Sequence, residues 1–120
     1  MKLKTSIITE PIEITNRKGE VIKTIPVTID LLSACDQIVK HRAALIGVQA
    51  DTPHEVIGRI TISLFTAVFG EKVVHELLEH YSDSYEAMFA DITPYLAEIV
   101  FPAIEEIRKR GIEAKKALKN

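Results

Sequence analysis

The sequence predicts an α+β fold that is mostly helical, with an N-terminal β-hairpin leading into a bundle of four to five helices, the last one long and kinked at Pro102. Two patterns and their punctuation predict it. Residues 7–29 alternate with period two around a glycine-containing turn. From Leu31 to Leu118 the apolar residues recur instead at helical spacing, and Asp30, Gly47, Thr52-Pro53, Gly70, Asp83 and Thr93-Pro94 divide that run into helix-sized pieces.

In the hairpin, Ile12 and Ile14 alternate with Glu13 and Thr15, and Asn16-Arg17-Lys18-Gly19 supplies the turn. Val21, Ile25, Val27 and Ile29 form the return strand, with Lys23, Thr24 and Thr28 between them. Pro11 and Pro26 cannot donate to a ladder, so each marks an edge position or a strand end. A two-stranded hairpin is marginal alone and needs helices or another chain against it.

Helix one begins at an Asp30 N-cap and carries Leu31, Cys35, Ile38, Val39, Arg42, Leu45 and Ile46 at helical spacing, with Gly47 at its end. For helix two, Thr52-Pro53-His54-Glu55 spells a capping box with proline in the first turn. Its apolar residues, from Val56 through Phe69, cover most of its circumference, as expected of a central helix or a subunit interface. Ile60 to Leu64 also alternate as a strand would, but length and the capping box favour a helix. Gly70 breaks the chain before a short helix over 71–81. Asp83 with Glu86 then caps another, and Thr93-Pro94 starts the last. In that last helix the apolar face holds its phase through Pro102, which predicts a continuous helix, kinked there, in which the Glu98 carbonyl loses its partner. Residues 111–120 are basic and expected to fray.

With 120 residues and no linker, repeat or low-complexity segment, a single domain over 1–120 is expected, the hairpin filling 7–29 and the helices 30–118. A chain of this size buries somewhat over ~60% of the surface its unfolded form exposes, enough for a core without staples. The lone Cys35 excludes an intramolecular disulfide and fits a reducing compartment. The N-terminus lacks the apolar run of a signal peptide, and the apolar stretch Ile57 to Phe69 is too short to span a bilayer. A soluble, cytoplasmic protein without membrane partners is therefore expected.

The chemistry-bearing residues do not assemble into a motif. His75-Glu76-Leu77-Leu78-Glu79-His80 resembles a zinc-protease segment, but its histidines lie at i and i+5, about 140° apart on a helix, where one face requires i and i+4. Cys35 and His41, six residues apart on one helix, cannot touch as a nucleophile and base. The glycines at 19, 47, 58, 70 and 111 form neither a phosphate loop nor a dinucleotide fingerprint. No catalytic, metal or cofactor residues are therefore assigned, and no enzymatic activity is expected. The basic cluster Arg108-Lys109-Arg110 with Lys115, Lys116 and Lys119 lacks aromatic or polar base readers, and a net charge of -2 does not recruit nucleic acid. What remains is apolar surface, which points to protein binding.

Several stretches carry a family resemblance: Phe69-Gly70-Glu71-Lys72-Val73-Val74, Leu77-Leu78-Glu79-His80-Tyr81, Tyr85-Glu86-Ala87-Met88, and Pro94-Tyr95-Leu96 through Phe101-Pro102-Ala103-Ile104. Over roughly residues 55 to 110 the chain resembles the tail assembly chaperones of long-tailed bacteriophages and prophages; the hairpin fits less specifically. The resemblance implies helices with a small β element, no enzymatic activity and no cofactor. Its implied partners are the tape measure protein and the tail tube protein, in the cytoplasm of a bacterial host. The family also makes a longer product by programmed frameshifting, and Leu118-Lys119-Asn120 is compatible with a slippery run of adenines. On this reading the partner surface is formed by Ile62, Phe65 and Phe69, or by the face around Val100, Phe101 and Ile104. The alternatives are a homo-oligomeric structural or adaptor protein whose hairpins pair edge to edge, and a regulator that binds nucleic acid through the basic tail.

Overall fold

The computed structural model describes residues 1–119; Asn120, the end of the basic tail, lies outside the described residues. The chain is α+β and mostly helical, with β1 (Ile7–Ile8), β2 (Ile12–Thr15), β3 (Val21–Ile25) and β4 (Ile29–Asp30) preceding α1 (Leu31–Ile46), α2 (His54–Phe69), α3 (Glu71–His80), α4 (Tyr85–Tyr95) and α5 (Phe101–Leu118). By internal contacts it divides into two compact units, Met1–Phe89 and Ala90–Asn120. The division falls between consecutive residues of α4, where the sequence carries no linker signal.

Residues 7–30 form two short antiparallel ladders, β1 with β4 and β2 with β3, where a single hairpin was expected. As far as Ile14 both ladders share one register, with Ile8 facing Ile29 and Ile12 facing Ile25; it shifts by one residue at Thr15, which faces Val21. Continuing that register places Pro11 opposite Pro26. Neither residue has an N–H to give, so the ladder lapses between them on both strands at once. Asn16 holds the turn, its side-chain oxygen accepting from the amides of Lys18 (2.9 Å) and Glu20 (3.1 Å). Ile12, Ile14, Ile25, Val27 and Ile29 are buried, while Val21 and Ile22 stay exposed.

Asp30 caps α1 as its sequence suggests, accepting from the Leu32 amide at 3.1 Å, and the Ser33 hydroxyl donates to the Asp30 carbonyl. The capping box expected for α2 does not form. Thr52 turns back to accept from the Gln49 amide at 3.0 Å, and the Pro53 carbonyl opens the helix by accepting from Val56 and Ile57. The hydroxyl thus stabilises the loop that precedes α2 and leaves its first amides without a side-chain cap. Helix α2 packs on α1 and on α3, burying Thr61, Leu64, Phe65, Val68 and Phe69. Thr61 Oγ1 donates to the Ile57 carbonyl at 2.8 Å, which satisfies the one buried polar side chain among the described residues.

Gly70 has φ +85°, a value that only glycine adopts without strain, and so α2 hands over to α3 with no intervening loop. After α3 the chain passes through left-handed conformations at both Ser82 and Asp83, with the Asp83 amide donating to the Leu78 carbonyl at 2.8 Å. Asp83 is therefore part of the C-terminal closure of α3. The N-cap of α4 expected of it is supplied one residue later by Ser84, whose hydroxyl accepts from Ala87.

No new helix starts at Thr93: α4 runs to Tyr95 with Pro94 inside it. Ahead of Pro102, residues Leu96–Val100 widen into a π segment, and the Phe101 amide donates to the Leu96 carbonyl, five residues back. Proline both removes an N–H and crowds the preceding turn, and the wider turn accommodates it. Tyr85–Leu118 is long and apolar enough, by length and composition alone, to cross a membrane, a criterion that core helices also meet. Ile92, Leu96, Val100 and Ile104 are buried, whereas the described residues beyond Ile107 are exposed, and α5 runs as far as Leu118.

Replacing Asp30 with alanine removes the one side-chain helix cap that joins strand to helix. Urea denaturation is expected to show a loss of about 1 kcal/mol, with the helical content of the folded state unchanged.

Candidate functional site

The residues expected to bind a partner fall into two groups. On α2, Phe65 is fully buried, its ring stacked on Phe89 at 6.4 Å between centroids and edge-on to Phe69 at 6.1 Å. Phe69 is also buried, whereas Ile62, three residues before Phe65, is half-buried and reaches the surface. Further along the chain Val100 and Ile104 are buried and Phe101 is half-buried. Four of the six are core side chains in this structure, and only Ile62 and Phe101 present apolar atoms to solvent.

Ile62 opens into a groove of about 520 Å³ between α1 and α2. Ser33, Ala34, Gln37 and His41 form one wall, and Ile62, Ser63, Thr66 and Ala67 the other. Each wall follows the i, i+3, i+4 rhythm of one helical face. Most of these side chains are small, which lets another backbone approach closely, while Ile62 provides an apolar anchor and Gln37, His41 and the hydroxyls provide polar ones. The arrangement suits an amphipathic helix laid in a groove.

A second, smaller cavity of about 180 Å³ lies beneath the start of α4. Leu45, Ile57, Thr61 and Phe89 line it, with His54, Tyr85 and Glu86 at its rim. His54 Nε2 lies 2.8 Å from Glu86 Oε1, and the Tyr85 hydroxyl donates to the His54 carbonyl at 3.0 Å. The Tyr85 ring lies against Gly58, where an added Cβ would meet Cε1 at 2.9 Å. These contacts fasten the first turn of α2 to the first turn of α4 across 31 and 32 residues of chain. Partial burial, and secondly the neighbouring Glu86 carboxylate, raise the Tyr85 phenol above its ordinary value.

The histidines of α3 and the cysteine of α1 lie outside this cluster. His75 Nε2 is 3.4 Å from Glu79 Oε1 on an exposed face, His80 meets the edge of Tyr81, and Cys35 is half-buried and free. Among the described residues no three His, Cys, Asp or Glu side chains come together as a metal site. Sequence reasoning missed both the small-residue walls of the groove and the Gly58–Tyr85 contact. A glycine in the middle of an apolar helix costs about 1 kcal/mol relative to alanine, and that cost was the visible sign of a close approach.

Gly58→Ala is expected to lower stability by about 1–3 kcal/mol in denaturant unfolding, because the Tyr85 ring must be displaced. In alkaline titration followed by tyrosine absorbance, Tyr85 should ionise above the ordinary phenol value of about 10, and Glu86→Gln should bring it part of the way down. A phenol with a raised folded value contributes stability that is fully present below about pH 10 and lost as pH climbs through that folded value. No protein-family model, curated protein or solved structure matches the chain.

Proposed function

We propose that this chain is a non-enzymatic assembly chaperone of the long-tailed phage type, which holds a long helical client in the α1–α2 groove. The observation that carries the reading is the groove itself: about 520 Å³, open along two helices, walled by small side chains and anchored by half-buried Ile62. A helix bearing small and medium apolar residues on one stripe is the natural occupant, since close backbone approach and an apolar anchor are what the walls offer. The resemblance over roughly residues 55 to 110 names that client as the tape measure protein, with the tail tube protein recruited to the same complex, in the bacterial cytoplasm. Phe65 and Phe69 then serve the function from inside, by fixing the α2 backbone that displays Ile62, Thr66 and Ala67.

Co-expression with a tape measure protein of a long-tailed phage, followed by light scattering, is expected to show several copies bound along one client. Ala67→Trp fills the groove from its α2 wall and should weaken client capture at least about tenfold, a loss of about 1.4 kcal/mol of binding. The unfolding midpoint should hardly move, because the site is open to solvent. Unchanged capture by a folded Ala67→Trp protein would place the client elsewhere.

A further inference from the structure

We propose that the exposed C-terminal part of α5, from Arg108 onward, is a self-association helix whose cationic face docks on the carboxylate face of α3 in a second copy of this chain. Every described residue from Arg108 to Lys119 is exposed. The segment extends α5 beyond Ile107, the last residue of that helix with any burial, so among the described residues nothing packs over it. The segment carries six cations and one carboxylate, whereas residues 1–107 carry nine cations and sixteen carboxylates. The chain therefore holds both halves of a charge-complementary contact.

The cations are also patterned. At 100° per residue, Arg108, Lys109, Lys115, Lys116 and Lys119 share an arc of about 120°, with exposed Ile112 near its middle. Glu113 approaches Lys116 at 4.0 Å and Glu105 approaches Arg108 at 3.7 Å. Lys109, Lys115 and Lys119 have no carboxylate in ion-pair range among the described residues. On α3, Glu71, Glu76 and Glu79 share the outward arc with Lys72 as the helix's only lysine or arginine, and half-buried Leu78 beside Glu71 offers Ile112 an apolar neighbour.

Because the two surfaces differ, the contact is heterologous: each copy uses its tail on one neighbour and its α3 on another, giving a ring or an open filament. Exposed ion pairs contribute little singly, so the contact is weak, specific in register and sensitive to salt. It involves no client and stands whether or not the α1–α2 groove holds one.

Sedimentation velocity and light scattering on the full chain at roughly 0.1 mM test it, a concentration at which a weak interface populates. Concentration-dependent association is expected at ~0.05 M salt, weakening at least tenfold by ~0.5 M. The tail variant Lys115→Glu/Lys116→Glu and the body variant Glu76→Lys/Glu79→Lys should each be monomeric, and mixing them should restore association, since each then meets opposite charge. Circular dichroism checks that both are folded; Lys109→Glu/Lys119→Glu and Glu71→Lys/Glu79→Lys replace either one that is not. A monomeric parent protein, association indifferent to salt, or failure of the mixture to reassemble overturns the proposal. So does a tail that retains duplex DNA or RNA while the chain stays monomeric, because the cations then serve nucleic acid.

Discussion

Helix α2 carries more apolar surface than one packing partner covers, and the rest of the Met1–Phe89 unit is arranged around that fact. Phe65 and Leu64 at its centre are buried, with α1 along one side and α3 folded back immediately after Gly70. Phe89, at the end of the unit, stacks on Phe65. Losing the Phe65 ring would remove about 3–5 kcal/mol, a large fraction of what a domain of this size possesses. The surface proposed for the partner is what this packing leaves uncovered: the seam between α1 and α2, lined by small side chains.

On the proposed reading one helix serves both stability and binding. Along α2 the inward positions are large (Leu64, Phe65, Val68), and the groove-facing ones between them are Ser63, Thr66 and Ala67. Large residues fix the backbone and small ones let a visitor approach it. The His54–Glu86 and Tyr85–His54 contacts pin the opening turn of α2, so the groove is held from that end as well as from the core.

Much of the fold was legible in the chain. Alternation marked the hairpin, Asp30 marked the start of α1, and Gly70 marked the break between α2 and α3. The errors share a physical cause: a residue's local preference can be satisfied by more than one neighbour. Thr52 prefers to accept an amide and took that of Gln49 in the loop; Asp83 tolerates left-handed backbone as well as it caps, and closed α3. Two prolines facing one another split the ladder, which is visible only once the register is known. Pro102 was correctly placed inside a continuous helix, but the widened π turn depends on how the preceding residues pack.

The candidate site was less legible. Ile62, Phe65 and Phe69 were chosen because they are large and apolar, and that same property buries two of them. A groove is defined by what its walls lack. Ala34, Ser63 and Ala67 carry no sequence signal that separates a binding seam from ordinary helix surface. Hydrogen–deuterium exchange of the full chain, with and without the long helical client, tests the central claim most directly. Protection on client binding confined to residues 33–41 and 62–67 is the expected result; protection that spares both stretches and appears elsewhere would contradict it.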